Sequence, residues 1–210
     1  LVVRAEGIAK AYGDLTLFNE LDLTIYRGDR IGIIGPNGVG KSTLVKCLLG
    51  EMQPDAGTVR PGSRLSIGYY QQIQDHLDPS LCVWEYLQSV IVAEDGGAKA
   101  TEQQARDLAG AFLFSNDEQD QPLGQLSGGE RSRAVIAGLV SSAKNLLVLD
   151  EPTNHLDIPS AERLEQVLSH DGGYDGTLLL ISHDRALLDA TCDKLLVFDR
   201  PGLVRVFEGT

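Results

Sequence analysis

The strongest constraint on the fold is a short apolar run that leads directly into a glycine-rich loop. Residues 31–35 read IGIIG, residues 35–42 read GPNGVGKS, and the run KSTLVKCLL is typical of a helix, with Gly50 placed to end it. The loop fits the pattern GxxxxGK(S/T). Its glycines let successive backbone N–H groups and the helix N-terminus face one anion. The sequence therefore predicts a buried strand, a phosphate-binding loop and a helix.

Two further apolar runs end, like the first, in polar side chains. NLLVLDE, residues 145–151, ends in Asp150 and Glu151, and TLLLISHD, residues 177–184, carries His183 near its end. Ligands of open α/β sheets lie at the carboxyl ends of the parallel strands. The three ends are therefore expected to converge on one site.

The side chains at these ends have chemistry that suits a bound triphosphate. Lys41 is expected to reach the β- and γ-phosphates, and Ser42 and Asp150 are expected to bind Mg²⁺. Glu151 is the candidate base that activates water, and His183 is a candidate donor to the γ-phosphate. An acidic pair at a strand end can also be a solvated turn, and a lone histidine is more often structural.

The two ends of the chain predict antiparallel strands. Residues 2–28 alternate apolar and polar side chains around a turn at residues 13–14, and the last residues predict a hairpin that turns at residues 201–202. The expected fold is one α/β domain over residues 1–210. It is a P-loop NTPase with a mostly parallel core sheet, an antiparallel β subdomain and a small α-helical subdomain at residues 73–125.

The helical subdomain is also strongly acidic. Helices are expected over residues 83–92 and 100–114, and residues 74–121 hold ten acidic against two basic side chains. The whole chain has a net charge of −12, so direct binding of nucleic acid by this domain is not expected. Three scattered cysteines favour reduced thiols, and no apolar run reaches membrane-spanning length. We expect a cytoplasmic protein.

A second glycine-rich helix start, LSGGE at residues 126–130, supports two interpretations. Ser127 and Glu130 have the spacing of a capping box, in which each side chain binds a backbone N–H of the first helical turn. That structural role does not explain Gly128 and Gly129, each of which costs roughly 0.5–1 kcal/mol in a helical turn relative to alanine. Glycines also allow another group to approach the backbone, and a helix N-terminus favours an anion.

Together, these motifs resemble those of the ATP-binding cassette (ABC) family, in the family's order and over nearly the whole chain. The matching Walker A residues are Gly35, Pro36, Asn37, Gly38, Val39, Gly40, Lys41, Ser42 and Thr43. The other matching residues are Gln72 (Q-loop), Leu126, Ser127, Gly128, Gly129 and Glu130 (signature), Asp150 and Glu151 (Walker B), Leu156 and Asp157 (D-loop) and His183 (switch).

The resemblance implies that this chain is half of a nucleotide site. Cassettes of this family pair head to tail, so that the signature of one contacts the γ-phosphate held by the P-loop of the other. The implied cofactors are ATP and Mg²⁺, with Gln72 joining Ser42 and Asp150 near the metal. The implied catalytic residues are Glu151, His183, Lys41 and Gln72. Tyr12, in KAYGD, is the aromatic residue implied to stack on adenine, although a lone tyrosine in a strand can simply pack.

Two stretches, EPTNHLD at residues 151–157 and SHDR at residues 182–185, resemble the F subfamily. Its members have tandem cassettes and no membrane domain, and several act on the ribosome in translation or protect it from antibiotics. The loop and LSGGERSR resemble the second cassette. A second cassette is then expected elsewhere in the full-length chain, and ribosome contact is expected through basic elements missing here.

Two other classes of ATPase share these motifs. The ATPase subunit of a membrane transporter needs a groove for a helix of its membrane domain. The apolar residues Val83, Trp84, Tyr86 and Leu87 could form one or could pack as core. A chromosome-maintenance ATPase is disfavoured because no long heptad arms interrupt the chain.

Overall fold

In the computed structural model, residues 1–70, 77–91, 100–154, 156–200 and 202–209 are described. Within them, nine strands form two sheets. The strands are β1 (Val3–Tyr12), β2 (Leu15–Ile25), β3 (Arg30–Ile34), β4 (Ala56–Pro61), β5 (Ile67–Tyr69), β6 (Leu146–Asp150), β7 (Thr177–Ile181), β8 (Lys194–Arg200) and β9 (Leu203–Glu208). The helices are α1 (Lys41–Leu48), α2 (Val83–Val90), α3 (Glu102–Ala111), α4 (Asn116–Gln119), α5 (Gly128–Ser141), α6 (Ile158–Leu168) and α7 (Arg185–Thr191), with a 3₁₀ turn at Leu123–Gln125.

The larger sheet brings the predicted strand ends together. Its strand order is β5-β6-β7-β3-β8-β9, in which the first five strands are parallel and β9 is antiparallel to β8. The apolar runs predicted as β3, β6 and β7 are almost wholly buried, as strands covered on both faces must be. Because these three strands are neighbours, their carboxyl ends lie side by side, as predicted.

The smaller sheet is antiparallel and has the order β2-β1-β4. The β1–β2 hairpin turns at Gly13, which has a φ of +58°, and pairs Tyr12 with Leu15. This hairpin and the β8–β9 hairpin were both predicted. Strand β4 was not predicted, because its sequence AGTVRP contains glycine and proline and is mostly exposed.

Alternate side chains of the central strands face two separate cores. Leu147 and Leu149 of β6 pack in a core with the helices α2, α3, α5 and α6. Leu146 and Val148 of the same strand pack in a second core with α1 and the antiparallel sheet. The period-two alternation of a strand therefore joins the two outer layers to one central sheet.

The acidic segment contains the helices α2, α3 and α4. Val83, Tyr86 and Leu87 are buried in the core. Trp84 is half-buried, and the guanidinium carbon of Arg106 lies 5.0 Å from the centroid of the Trp84 ring. These residues therefore pack in the core, while Tyr86 also lines an open cavity of about 490 Å³ with Val90, Gly138 and Leu139, so both interpretations of this apolar group stay open. No helix in the described part of the chain is long and apolar enough to span a bilayer.

Smaller predictions also agree with the structure. Gly50 follows the end of α1 with a φ of +78°, a left-handed conformation suited to a glycine after a helix. The three cysteines were expected to be buried free thiols. Cys47 and Cys192 are buried, whereas Cys82 is only half-buried.

Candidate functional site

Three glycines of the loop have positive φ, and two of them, Gly38 and Gly40, lie in the turn that leads into α1. Gly38 has a φ of +78° and Gly40 a φ of +112°. A Cβ added at Gly40 would lie 2.8 Å from Cβ of Leu17, whereas a Cβ added at Gly38 would meet nothing within 4 Å. Packing and φ together therefore require glycine at position 40. The space beside Gly38 is open to whatever binds the loop.

Lys41 begins α1 and is buried beneath this loop. Its Nζ donates hydrogen bonds to the carbonyl oxygens of Gly35 at 2.7 Å and Pro36 at 3.1 Å. The ammonium thus lies inside the curve of the loop, close to the N-terminus of α1. A fixed cation and the positive end of a helix at one place favour an anion with several negative charges.

Ser42 and Asp150 meet across the sheet edge. The Ser42 hydroxyl donates a hydrogen bond to Oδ2 of Asp150 at 2.7 Å. A hydroxyl and a carboxylate are hard oxygen donors of the kind that Mg²⁺ prefers. The donor set at this edge therefore fits a magnesium ion.

Glu151 has an unusual backbone and a buried oxygen that accepts no hydrogen bond within the described part of the chain. Its φ is +48°, and its N–H donates to the carbonyl of Ile181 at 2.8 Å, which fixes the turn after β6. Its Oε1 is buried and accepts no hydrogen bond from the described residues. Nε2 of His183 lies 3.4 Å from that oxygen and also 3.4 Å from Oδ1 of Asn37 in the loop. A buried acceptor with a free lone pair, next to a histidine, can take a proton from water.

Tyr12 stands at the outer end of the same cavity. It is 53% exposed, and its hydroxyl contacts Sδ of Met52 at 3.3 Å. Nζ of Lys10 lies 5.8 Å from the ring centroid and is held by a 2.6 Å ion pair with Asp55, which also accepts the N–H of Ala11 at 2.8 Å. The hydrogen bond from Lys10, followed by that from Ala11, lowers the pKa of Asp55. The strand end that carries Tyr12 is therefore fixed while much of the ring stays accessible.

Most of the predicted site residues line one cavity of about 350 Å³, whereas His183 is not part of its lining and contacts it through Asn37 and Glu151. Its lining residues are Tyr12, Leu15, Leu17, Asn37, Gly38, Gly40, Lys41, Ser42, Thr43, Asp150 and Glu151. An aromatic ring stands at one end and the loop and acidic side chains at the other. The shape suits a ligand with a flat base and a charged tail.

The LSGGE segment lines a different cavity of about 280 Å³. Its lining residues are Glu118, Ser127, Gly129, Glu130, Arg133, Asp157 and Ser160. Among the described residues, the two cavities share no lining residue. The phosphate loop and the LSGGE segment of one chain therefore open onto separate spaces.

The predicted capping box is present at the start of α5. The Ser127 N–H donates to Oε2 of Glu130 at 2.7 Å, and the Glu130 N–H donates to Oγ of Ser127 at 3.3 Å. Leu126 is buried beneath it, whereas a Cβ added at Gly128 would meet nothing within 4 Å. The capping box thus leaves the outer side of the helix start open.

The D-loop residues flank the same cavity. Asp157 caps α6 by accepting the Ser160 N–H at 3.0 Å, and Leu156 packs against the helical core.

Gln72 lies outside the described residues. No sequence motif marks Lys10, Asp55 or Arg133, since each of these residues acts through a partner that is distant in sequence.

The chain is similar to known ATP-binding proteins. A family model described as "ABC transporter" matches residues 18–154. The chain is 41% identical over 206 residues to the ATP-binding protein Uup of Caulobacter vibrioides, covering 96% of this chain and 32% of that protein. It is 39% identical over 208 residues to the energy-dependent translational throttle protein EttA of Escherichia coli strain K12, covering 99% of this chain and 37% of that protein. The chain spans about a third of the length of these relatives.

Solved structures share the fold. An ATP-binding subunit of an ABC transporter is 20% identical and superposes with a TM-score of 0.78 over 99% of this chain and 90% of that chain. A dimeric cassette of a bacterial ABC transporter is 21% identical and superposes with a TM-score of 0.75 over 98% of each chain. These likenesses confirm the predicted fold class.

Proposed function

This chain belongs to the ABC family, and we propose that it binds and hydrolyses ATP as one half of a pair of cassettes. The observation that carries the proposal is the separation of the phosphate-loop cavity from the cavity at Ser127. Because the phosphate loop and the LSGGE segment of one chain lie in separate cavities, they cannot contact the same nucleotide. A second cassette is needed to place its LSGGE segment against the nucleotide bound to this phosphate loop. Residues 1–210 are then one cassette, with residues 73–125 as its helical subdomain.

In the proposed site, the nucleotide lies in the cavity between Tyr12 and the phosphate loop. Tyr12 stacks on adenine, and Lys41 and the backbone N–H groups of the loop bind the phosphates. Ser42 and Asp150, joined by Gln72, would hold Mg²⁺. That ion would offset the negative charge of the phosphates.

Hydrolysis is assigned to the ends of β6 and β7. Oε1 of Glu151, which lies 3.4 Å from Nε2 of His183 and accepts no hydrogen bond from the described residues, accepts a proton from the attacking water. His183 donates a hydrogen bond to the γ-phosphate. Ser127 and Gly129 contact the γ-phosphate bound to the other cassette. In the resulting ATPase cycle, the two cassettes would close when they bind ATP and reopen after hydrolysis.

We assign this cycle to a cytoplasmic protein that acts on the ribosome. Similarity to Uup and EttA agrees with the F-subfamily resemblance of EPTNHLD and SHDR, and EttA is named a translational throttle protein. The acidic helical segment is unsuited to RNA phosphates, so basic elements elsewhere in the full-length protein would contact rRNA. Ribosome protection from antibiotics is one form that this action could take.

The test is the Glu151→Gln variant of the full-length protein. We expect its ATP turnover to fall at least 100-fold and its cassettes to stay paired in the presence of ATP. Glu162→Gln, at an exposed position on α6, is the matched control and should leave turnover unchanged. Wild-type turnover in Glu151→Gln would reject the assignment. If two cassettes must pair to form a site, the turnover number of this domain alone should rise with protein concentration. A turnover number that does not depend on protein concentration would reject the proposal that each cassette supplies half of the site.

A further inference from the structure

Arg133, inside α5, is a buried cation with few direct partners. It is 9% exposed, its guanidinium carbon lies 4.3 Å from the ring centroid of Phe114, and its Nε has no hydrogen-bond partner among the described residues. Burying a guanidinium without full hydrogen bonding is costly. Stacking on one ring does not account for a charge at this place.

The residues around Arg133 explain why a positively charged side chain lies at this position. Its Nη1 donates to Oγ of Ser160 at 3.4 Å, on the first turn of the D-loop helix α6. It lines the LSGGE cavity together with three carboxylates, Glu118, Glu130 and Asp157, and is the single basic side chain among the described residues of that lining. Three carboxylates around one small cavity would repel one another without a cation in the same lining.

The pKa directions agree with this arrangement. Hydrogen bonds from Ser160 lower the pKa of Asp157, and the charge of Arg133 adds to the effect. Hydrogen bonds from Ser115 lower the pKa of Glu118, and Arg133 again adds to the effect. Asp157 caps α6, and Glu118 completes the capping box of α4 by accepting the Ser115 N–H, so the ionised form of each carboxylate supports the local structure.

We propose that Arg133 is a positioning residue whose charge holds α5, the D-loop helix α6 and the start of α4 as one unit. The proposal rests on the proposed function, because the unit matters when the half-site receives the partner's nucleotide. That nucleotide is an anion, and it must approach a cavity rimmed by carboxylates. By offsetting those carboxylates, Arg133 keeps Ser127 and Gly129 accessible to an anionic group and in register with Asp157.

The experiment compares charge with packing in the full-length protein. Arg133→Met keeps an apolar stem over Phe114 but removes the charge, whereas Arg133→Lys keeps the charge. Arg163→Met is the matched control, since Arg163 also lies over a phenylalanine, 5.8 Å from the ring of Phe112, and contacts Gln166 rather than the LSGGE cavity. ATP affinity, kcat and thermal melting are measured for each.

We expect Arg133→Met to bind ATP within 2-fold of wild type but to lose at least 10-fold in kcat. Arg133→Lys should keep at least a third of the wild-type kcat, and Arg163→Met should stay within 2-fold. A folded Arg133→Met with wild-type kcat, or an Arg133→Lys as slow as Arg133→Met, would overturn the proposal.

A second measurement covers the case in which Arg133→Met does not fold. Arg133→Gln also removes the charge but keeps a polar side chain. Asp157→Asn should slow turnover, and the loss in the Arg133→Gln/Asp157→Asn double variant should be smaller than the product of the two single losses. Multiplicative losses would overturn the proposal. A wild-type protein without ATPase activity would instead reject the proposed function, so the two failures are distinguishable.

Discussion

The Ser42 hydroxyl donates a 2.7 Å hydrogen bond to the Asp150 carboxylate and thereby joins the first turn of α1 to the end of β6. Removing the carboxylate charge should weaken a magnesium site more than the nucleotide pocket. For Asp150→Asn we expect at least a 10-fold loss of affinity for ATP with Mg²⁺ and less than a 3-fold loss with EDTA. Equilibrium binding of a fluorescent ATP analogue measures both. Equal losses in the two conditions would show that Asp150 acts on the nucleotide rather than on a metal.

Tyr12 should contribute to nucleotide affinity through its ring and only weakly through its hydroxyl. Base–aromatic stacking is worth about 1–3 kcal/mol, so Tyr12→Ala should raise the Kd for ATP by roughly 5- to 150-fold. Tyr12→Phe loses only the contact with Met52 and should stay within about 3-fold. Calorimetric titration of both variants measures this, and similar Kd values for the two would contradict the stacking role.

The left-handed backbone of Glu151 should appear as a difference in stability between two variants that replace this residue. A non-glycine residue in this conformation costs roughly 1–2 kcal/mol, while glycine adds about 0.4–1 kcal/mol of unfolded-state entropy. Glu151→Gly should therefore be more stable than Glu151→Ala by about 0.5–1 kcal/mol in urea unfolding. A less stable glycine variant would argue against strain at this turn.

Arg30 should be important for stability although it lies outside the candidate site. Its buried guanidinium donates to the carbonyl oxygens of Leu168 and Tyr174, which ties the segment after α6 to β3. Arg30→Met leaves two buried acceptors unpaired and should lower the free energy of unfolding by about 3 kcal/mol. Arg4→Met, which removes an exposed pair with Glu6, should cost less than about 1 kcal/mol.

The acidic segment should lose an ion pair at low pH. A hydrogen bond from Arg106 at 2.8 Å lowers the pKa of Asp120 below its ordinary 3.8. Because the folded-state pKa is the lower one, the pair stabilises the fold above pH 3.8, and this contribution is lost as pH falls through the lowered value. Asp120→Asn should therefore melt below wild type at pH 7 and nearly equal it in strong acid. In an Arg106→Met background, Asp120→Asn should have no such pH-dependent effect.

Local patterns were sufficient to predict the elements around the site. The apolar strand IGIIG, the loop and the capping box at Ser127 each follow from short stretches with strong backbone preferences. Helix α3 was expected to continue to residue 114 but ends at Ala111. Leu113 has a φ of +64°, and this turn buries Phe112 and Phe114 in the core.

What could not be predicted depends on pairs that are distant in sequence. Lys10 and Asp55 lie on different segments that meet only after β1 has paired with β4. Arg133 belongs to the run ERSR at residues 130–133, whose charged side chains are typical of a solvent-exposed helix face. Its burial arises from packing against Phe114 and the D-loop helix, and no local pattern records that packing.

The strand order also has a consequence for synthesis of the protein. Strand β3, which carries the phosphate loop, is flanked by β7 and β8, both from the last part of this domain to be translated. While the nascent chain emerges, β3 has its helix but neither neighbouring strand. The loop can therefore take its final shape only after nearly the whole domain has left the exit tunnel, and stalled, shortened chains should not be retained on immobilised nucleotide.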